Sequence, residues 1–405
     1  MIMPFFTVLS VVCLIATLLI ISRSFGSKLF LVTSLGVILK LSVGLINSIY
    51  GPLPGADVDA LAFEQTAILL AQSWHQGGIS FLEFTHRYAY SNFLALLFFV
   101  DGNSLLLVPL VNTMITTFAA YNVYKTAIVL RIPKDKIAII ALFLSLNPII
   151  LLYSAVPMRE APIYALLTYF FRVLVSQKRH PITLINPSLH IVIACCAYLH
   201  IGLLSLYFVL LFYSLDLRVE FKKIFRLRNL LLVLMLANVD FAITWISDLI
   251  DIPRLSQLID SDDETITFDQ VKEVQEFKSR GEGAYTYPDI ATGSSVIDIG
   301  LTAVYMTLRL IFSPFLWEIH SFNLATLVKL LDIITTATLH IFAIRGIARG
   351  DKHSYGGFLY ASYFFLSLIF GMNTVNDGVA LRHRTKFVWI LVLAAISGMS
   401  REPKK

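Results

Sequence analysis

The sequence predicts an all-α, polytopic integral membrane protein, and three observations carry that reading. Hydrophobic residues make up 57% of the 405-residue chain and charged residues only 15%, against roughly 25% charged in soluble domains. The apolar residues come in runs close to the about 20 residues that a bilayer-crossing helix needs. Between those runs Lys and Arg fall in short clusters, the arrangement the positive-inside rule describes.

The runs lie at 4–22, 29–49, 104–125, 137–157, 160–177, 186–199, 201–217, 230–250, 323–344, 355–372 and 386–399. The first has no Lys or Arg before it and no small-residue cleavage site, so it reads as a retained span rather than a signal peptide. The basic clusters are Arg23/Lys28, Arg131/Lys134/Lys136, Lys178/Arg179, Arg218 to Arg228, Arg345/Arg349/Lys352 and Arg401/Lys404/Lys405. They occupy every second loop. Placing them in the cytoplasm puts the N-terminus outside and gives about 11 spans by the length rule. The same placement disposes of a nucleic-acid reading of the +5 net charge, because the cations are dispersed through inter-span loops. Cys13, Cys195 and Cys196 all lie inside apolar runs and show neither disulfide nor metal spacing.

Two further apolar stretches must stay uncrossed to keep that register. The stretch 88–100 is only 13 residues long and predicts a re-entrant or interfacial helix. The stretch 296–316 carries Asp298 and Arg309 and predicts a tilted or broken helix on the outer surface. The chain then forms a single membrane domain, 1–405, with an acidic outer loop and juxtamembrane helices at 50–103 and a second outer loop with its interfacial helix at 251–322. Residues 251–295 hold ten Asp/Glu against four Lys/Arg without a strong period, which predicts a solvated cover. There is no internal repeat, P-loop, dinucleotide fingerprint or zinc spacing.

Ionisable residues at membrane depth are costly and usually functional, and here they gather toward one face. Asp57 and Asp59 open an amphipathic helix that runs to about Trp74, where the helix dipole favours carboxylates. One of them can serve as its N-cap. Glu64 follows Asp57 by seven residues and falls on the same face. Such a pair can act as a general base or hold a cation. Arg159-Glu160 stands where a Pro-containing span reaches the outer surface, and the plain alternative is a snorkelling Arg with a paired Glu. His75, His86 and Arg87 read as ordinary surface, and His200 as either a turn cap or a site residue. Arg382-His383-Arg384 lies on the outer side, against the charge rule. An anionic partner explains it, because the guanidinium fork suits phosphate. A carboxylate base, phosphate-binding Arg residues and apolar surroundings together suit group transfer from a lipid-linked phosphate.

These residues resemble the GT-C superfamily of membrane glycosyltransferases. The resembling motifs are Asp59-Ala60-x-x-Phe63-x-x-x-Ala67, the aromatic stretch Tyr90–Phe99 followed by Asp101-Gly102-Asn103-Ser104 and Asn112, and Ser145-Leu-Asn147-Pro148 through Tyr153-Ser154 to Arg159-Glu160. Ser313-Pro314-Phe315-Leu316-Trp317-Glu318 and Asn376-x-Gly378-x-x-x-Arg382-His383-Arg384 complete the set. The resemblance implies a polyprenyl-phosphate-linked sugar donor, a base at Asp59 with Asp57 second, and phosphate contact by Arg382 and Arg384. Glu64, Arg159, Glu160, His200 and His383 are expected around the substrate. An extra span precedes the acidic loop and no large soluble C-terminal domain follows, a build similar to exopolysaccharide or O-antigen repeat polymerases. The expected place is the cytoplasmic membrane with the site on the extracytoplasmic side, working with membrane lipid and other polysaccharide-assembly proteins. No cofactor is expected. Asp57-Val-Asp59 has the look of a DxD cation pair, but the Arg residues can neutralise the phosphate without a divalent ion. The rivals are a transporter or lipid-oligosaccharide flippase, marked by charges along a pathway and broken spans, and a scaffold subunit without chemistry.

Overall fold

The computed structural model describes residues 4–53, 57–77, 89–176, 191–192, 195, 296–319, 324–348, 355–372, 374 and 376–399. Among them the secondary structure is helical. The helices are α1 (Phe5–Phe25), α2 (Ser27–Tyr50), α3 (Asp57–His75), α4 (Ala89–Asp101), α5 (Leu107–Val129), α6 (Lys134–Leu146), α7 (Pro148–Ala155) and α8 (Glu160–Ser176). After them come α9 (Val296–Phe312), a 3₁₀ turn (Leu316–Glu318), α10 (Leu324–Ala348), α11 (Gly356–Met372) and α12 (Asp377–Met399). Among the described residues three helices, α1, α2 and α10 from Thr326 onward, are long and apolar enough to cross a membrane. The pair α6 and α7 makes a fourth if it is one bent span. The expected runs at 186–199, 201–217 and 230–250 lie almost wholly outside the described residues.

Local chemistry explains the helix ends. Pro148 has no N–H to continue the ladder of α6 and its ring clashes with the preceding turn. Asn147 closes α6 through its own N–H to Phe143 O, and its side chain accepts from Ile150 N at 3.0 Å, so one residue ends one helix and caps the next. The two axes differ by 57°. At the other end of the chain's first half, Asp101 caps α1. Its carboxylate accepts from Phe6 N at 2.9 Å and from Thr7 N at 2.7 Å, satisfying first-turn donors that have no intrahelical partner.

Small residues set the closest approaches. A Cβ on Gly36 would fall 2.6 Å from Ser145 Oγ, and one on Gly44 would fall 2.6 Å from Pro109 Cβ, which fixes α2 against α6 and α5. Helix α12 is the pillar of the other half: Phe387 through Ile396 are buried on every side, as expected of a helix apolar all round. It packs against α6, α7, α8, α9, α10 and α11. The pairs Lys329–Asp377, Asp332–Arg384 and Gly346–Gly398 match low numbers with low and high with high, so α10 and α12 run parallel. Tyr363–Phe387 and Phe370–His383 show that α11 runs antiparallel to both.

Helix α9 is buried on one side and open on the other. Arg309, Leu310 and Ser313 are buried, while Leu301, Val304 and Leu308 form the apolar stripe that faces away from the bundle. After the cis Ser313–Pro314 bond the chain doubles back, so that Glu318 pairs with Arg309 and accepts from Phe315 N at 2.9 Å. The segment is a hairpin inserted among α10, α11 and α12. Its amphipathic pattern survives, but the polar side is turned into protein and met there by charge.

The α10–α12 crossing is a sharp test. A Cβ on Gly346 would lie 2.2 Å from the Gly398 Cα, a backbone atom that cannot move aside. Gly398→Val should therefore cost at least the ~1–3 kcal/mol of overpacking a well-filled core. In detergent this would appear as a lowered thermal midpoint, whereas an unchanged midpoint would contradict so close a crossing.

Candidate functional site

The charged residues of the described chain concentrate where α10 and α12 begin. The first three turns of α12 carry Asp377, Arg382, His383, Arg384 and Lys386. Facing them are the start of α3, the α7–α8 turn, α10 and the α9 hairpin.

Asp59, in the first turn of α3, forms an ion pair with Arg382. Ala60 packs beside it with Ile149, Tyr153, Val156, Met158 and Leu381, so an apolar seam joins α3 to α7 and α12 and brings the two charges together. The pair sits at the accessible edge: the Asp59 side chain is 44% exposed and that of Arg382 21%. Asp57 opens the same helix, and its side chain lies outside the described residues, as does His200.

A second layer lies below. Glu160 begins α8, where the helix dipole favours a carboxylate. Its Oε1 is 3.7 Å from Lys386 Nζ, and its buried Oε2 has no hydrogen-bond partner. Lys386 Nζ also lies 2.9 Å from His383 Nδ1 and over the ring of Phe370. If the ammonium is the donor there, His383 carries its proton on Nε2. Arg159 stands over the Phe63 ring of α3 at 5.9 Å. Burial lowers the pKa of its guanidinium, and the neighbouring Glu160 carboxylate opposes that shift. Phe63 meets Tyr90 edge-on, and Asn112 Nδ2 donates to the Tyr90 hydroxyl at 3.3 Å and to Val156 O at 2.7 Å. That last bond satisfies a carbonyl of the buried α7–α8 turn. Glu64, half-buried on α3 and close enough to Tyr90 to act on it electrostatically, has its carboxyl pushed above the usual range by burial.

Arg384 has a different place from the one expected. It is fully buried, pairs with Asp332 at 2.9 Å, and donates to Ile311 O at 2.7 Å and Ser313 O at 2.9 Å. Its guanidinium is the C-terminal cap of α9, satisfying carbonyls that the helix end leaves without partners. Two backbone carbonyls and the Asp332 carboxylate surround Arg384 at the position where phosphate contact was expected. The physical reason is helical register, because successive residues on α12 turn by about 100° and neighbours in a basic cluster cannot share one face.

The structure thus brings Asp59, Arg382, Arg159, Glu160 and His383 into one region with Glu64 at its margin, and turns Arg384 away. Sequence reasoning missed Lys386, read as the edge of a span, and Tyr90 with Asn112, read only as motif residues. The signal for Lys386 was available, since a lysine entering an apolar run is costly unless paired. His75 packs on Phe99 and stays apart from the cluster. Among the described residues, no group of three or more His, Cys, Asp or Glu side chains is gathered as a metal centre would need.

The fold and the site define a class: a helical protein with helices long and apolar enough to cross a membrane and a layered set of ion pairs at one end of the bundle. Comparisons with protein-family models, with curated proteins and with solved structures find no match.

Two measurements test this geometry. Arg384→Met leaves Asp332 buried without its cation, a loss of about 3–5 kcal/mol for a broken buried pair. It should sharply lower the thermal midpoint, and Arg384→Met with Asp332→Leu should recover part of that loss. A double variant no better than the single would contradict the pairing. Because the carboxyl of Glu64 titrates higher folded than unfolded, its burial costs stability as pH rises from the ordinary carboxyl range through the folded value. Glu64→Gln should unfold later than the parent at about pH 8, with the advantage fading toward about pH 4.

Proposed function

We propose that this chain is a membrane glycosyltransferase of GT-C-like build, with about 11 spans by the length rule. It acts at the outer face on polyprenyl-phosphate-linked sugars during surface-polysaccharide synthesis, with repeat-unit polymerisation as one such transfer. The observation that carries the reading is the Asp59–Arg382 pair. A carboxylate from the early acidic helix and a guanidinium from the late basic cluster meet at the accessible edge of a greasy bundle, as transfer from a lipid-linked phosphate requires.

In this reading the acceptor hydroxyl gives its proton to Asp59 while its oxygen attacks the anomeric carbon of the donor. The bond from that carbon to the phosphate oxygen breaks, and the phosphate leaves with the bonding electrons. Arg382 and Arg159 stabilise the charge that develops on the leaving group. Lys386, one turn below Arg382, joins Glu160 and His383 from a buried position. Arg384 keeps the hairpin of α9 in place and touches no substrate.

A second reading, a transporter or flippase for a lipid-linked oligosaccharide, draws on a specific observation. The interrupted pair α6–α7 and the buried end of α9 both lie against buried charges, and interrupted helices build the sites of many transporters.

Surface polysaccharide from cells lacking the protein, complemented with wild type or Asp59→Asn, separates the two. Loss of a positioned base typically lowers rate by about 10²–10⁴-fold. Asp59→Asn at normal protein level should therefore leave long chains unmade while lipid-linked single repeats accumulate on the outer face. Full rescue by the variant would remove the base assignment, and accumulation on the inner face would favour transport.

A further inference from the structure

The cations around the site differ in how far they are committed. Arg384 is held by Asp332 and two carbonyls at full burial. Lys386 is buried between Glu160 and His383. Lys329 binds Asp377 at 2.5 Å and Arg309 binds Glu318. Arg382 is held instead by a carboxylate that is itself nearly half exposed. Asp59 Oδ2 lies on Arg382 Nη1, so an anion seated on that nitrogen displaces Asp59.

We propose that Asp59 is a specificity-determining residue: it occupies the anion position on Arg382 in the unliganded protein and admits only a multiply charged phosphate in its place. Partly exposed ion pairs contribute about 0–1 kcal/mol, so the exchange is easily reached. A monoanion, however, replaces one carboxylate with its equal and gains nothing. A terminal phosphate dianion or a diphosphate brings more charge and more oxygens to the same guanidinium fork. Its arrival also returns the Asp59 oxygens to solvent and to an acceptor hydroxyl, so that the base becomes available only after the phosphate is seated. The last step rests on the glycosyl-transfer reading and narrows its donor to a sugar linked through a diphosphate, because a sugar on a monophosphate diester is a monoanion; the exchange at Arg382 does not rest on that reading.

The test is calorimetric titration of the full-length chain in detergent with pyrophosphate, inorganic phosphate and the monoanion dimethyl phosphate. Wild type should bind the first two and ignore the third. Removing the competing carboxylate in Asp59→Asn should tighten inorganic phosphate about fivefold, the equivalent of one partly exposed ion pair, and allow dimethyl phosphate to bind. Asp59→Ser should behave alike, which guards against a defect peculiar to one substitution. Arg382→Gln should lose all three, and Arg382→Lys should keep weak binding without the bidentate geometry. Unchanged or weaker phosphate binding in both Asp59 variants overturns the proposal, as does failure of wild type and variants alike to bind phosphate. Tighter binding with full polysaccharide rescue by Asp59→Asn keeps the exchange and removes the base role. Unchanged binding with lost polysaccharide does the reverse.

Discussion

The contact between Arg384 and the end of α9 is the interaction on which the charged end of the bundle depends. A helix that stops inside protein leaves carbonyl groups that neither water nor a next turn can satisfy, and each unsatisfied group is costly in an apolar surround. Arg384 supplies two donors to those carbonyls, and Asp332 neutralises the guanidinium in turn. The arrangement ties α9, α10 and α12 at one point, each group requiring the other two. The α7–α8 turn follows the same logic with a neutral partner, since Asn112 donates to Val156 O where the backbone runs irregularly through buried surroundings.

Interrupted helices then determine where chemistry can be placed. A continuous span presents its side chains at fixed depth and on a fixed face. A helix that ends within the bundle exposes its polar ends and delivers the next residue directly to the interior, as α7 does for Arg159 and Glu160. The carboxylate of Glu160 at the start of α8 and the ammonium of Lys386 on α12 meet for that reason. Their burial makes the second layer rigid, while the Asp59–Arg382 layer above it stays accessible.

The helices themselves were largely legible in the chain. Run length and composition placed α1, α2, α5, α8, α10 and α11, because helical hydrogen bonding within a segment and an apolar exterior are local requirements. The run 137–157 reads as one span, and the structure breaks it at Asn147-Pro148, where proline lacks the donor to continue the helix. The start of α12 was less legible: the charged residues 377–385 look like a loop, and within the helix partners on α3 and α10 neutralise them.

What the sequence determined by itself was the helical class, the membrane-crossing composition and the residue types available for a site, all of which follow from local composition and period. What the tertiary structure decided was which charges meet. Arg382, His383 and Arg384 are adjacent in the chain, yet rotation along α12 sends the first to Asp59, the second to Lys386 and the third to Asp332. The hairpin of α9 was undecidable from its pattern, because an amphipathic helix at a lipid surface and one inserted beside a buried arginine have the same period. Pairing between distant segments is a long-range property, and only the packing of the helices fixes it.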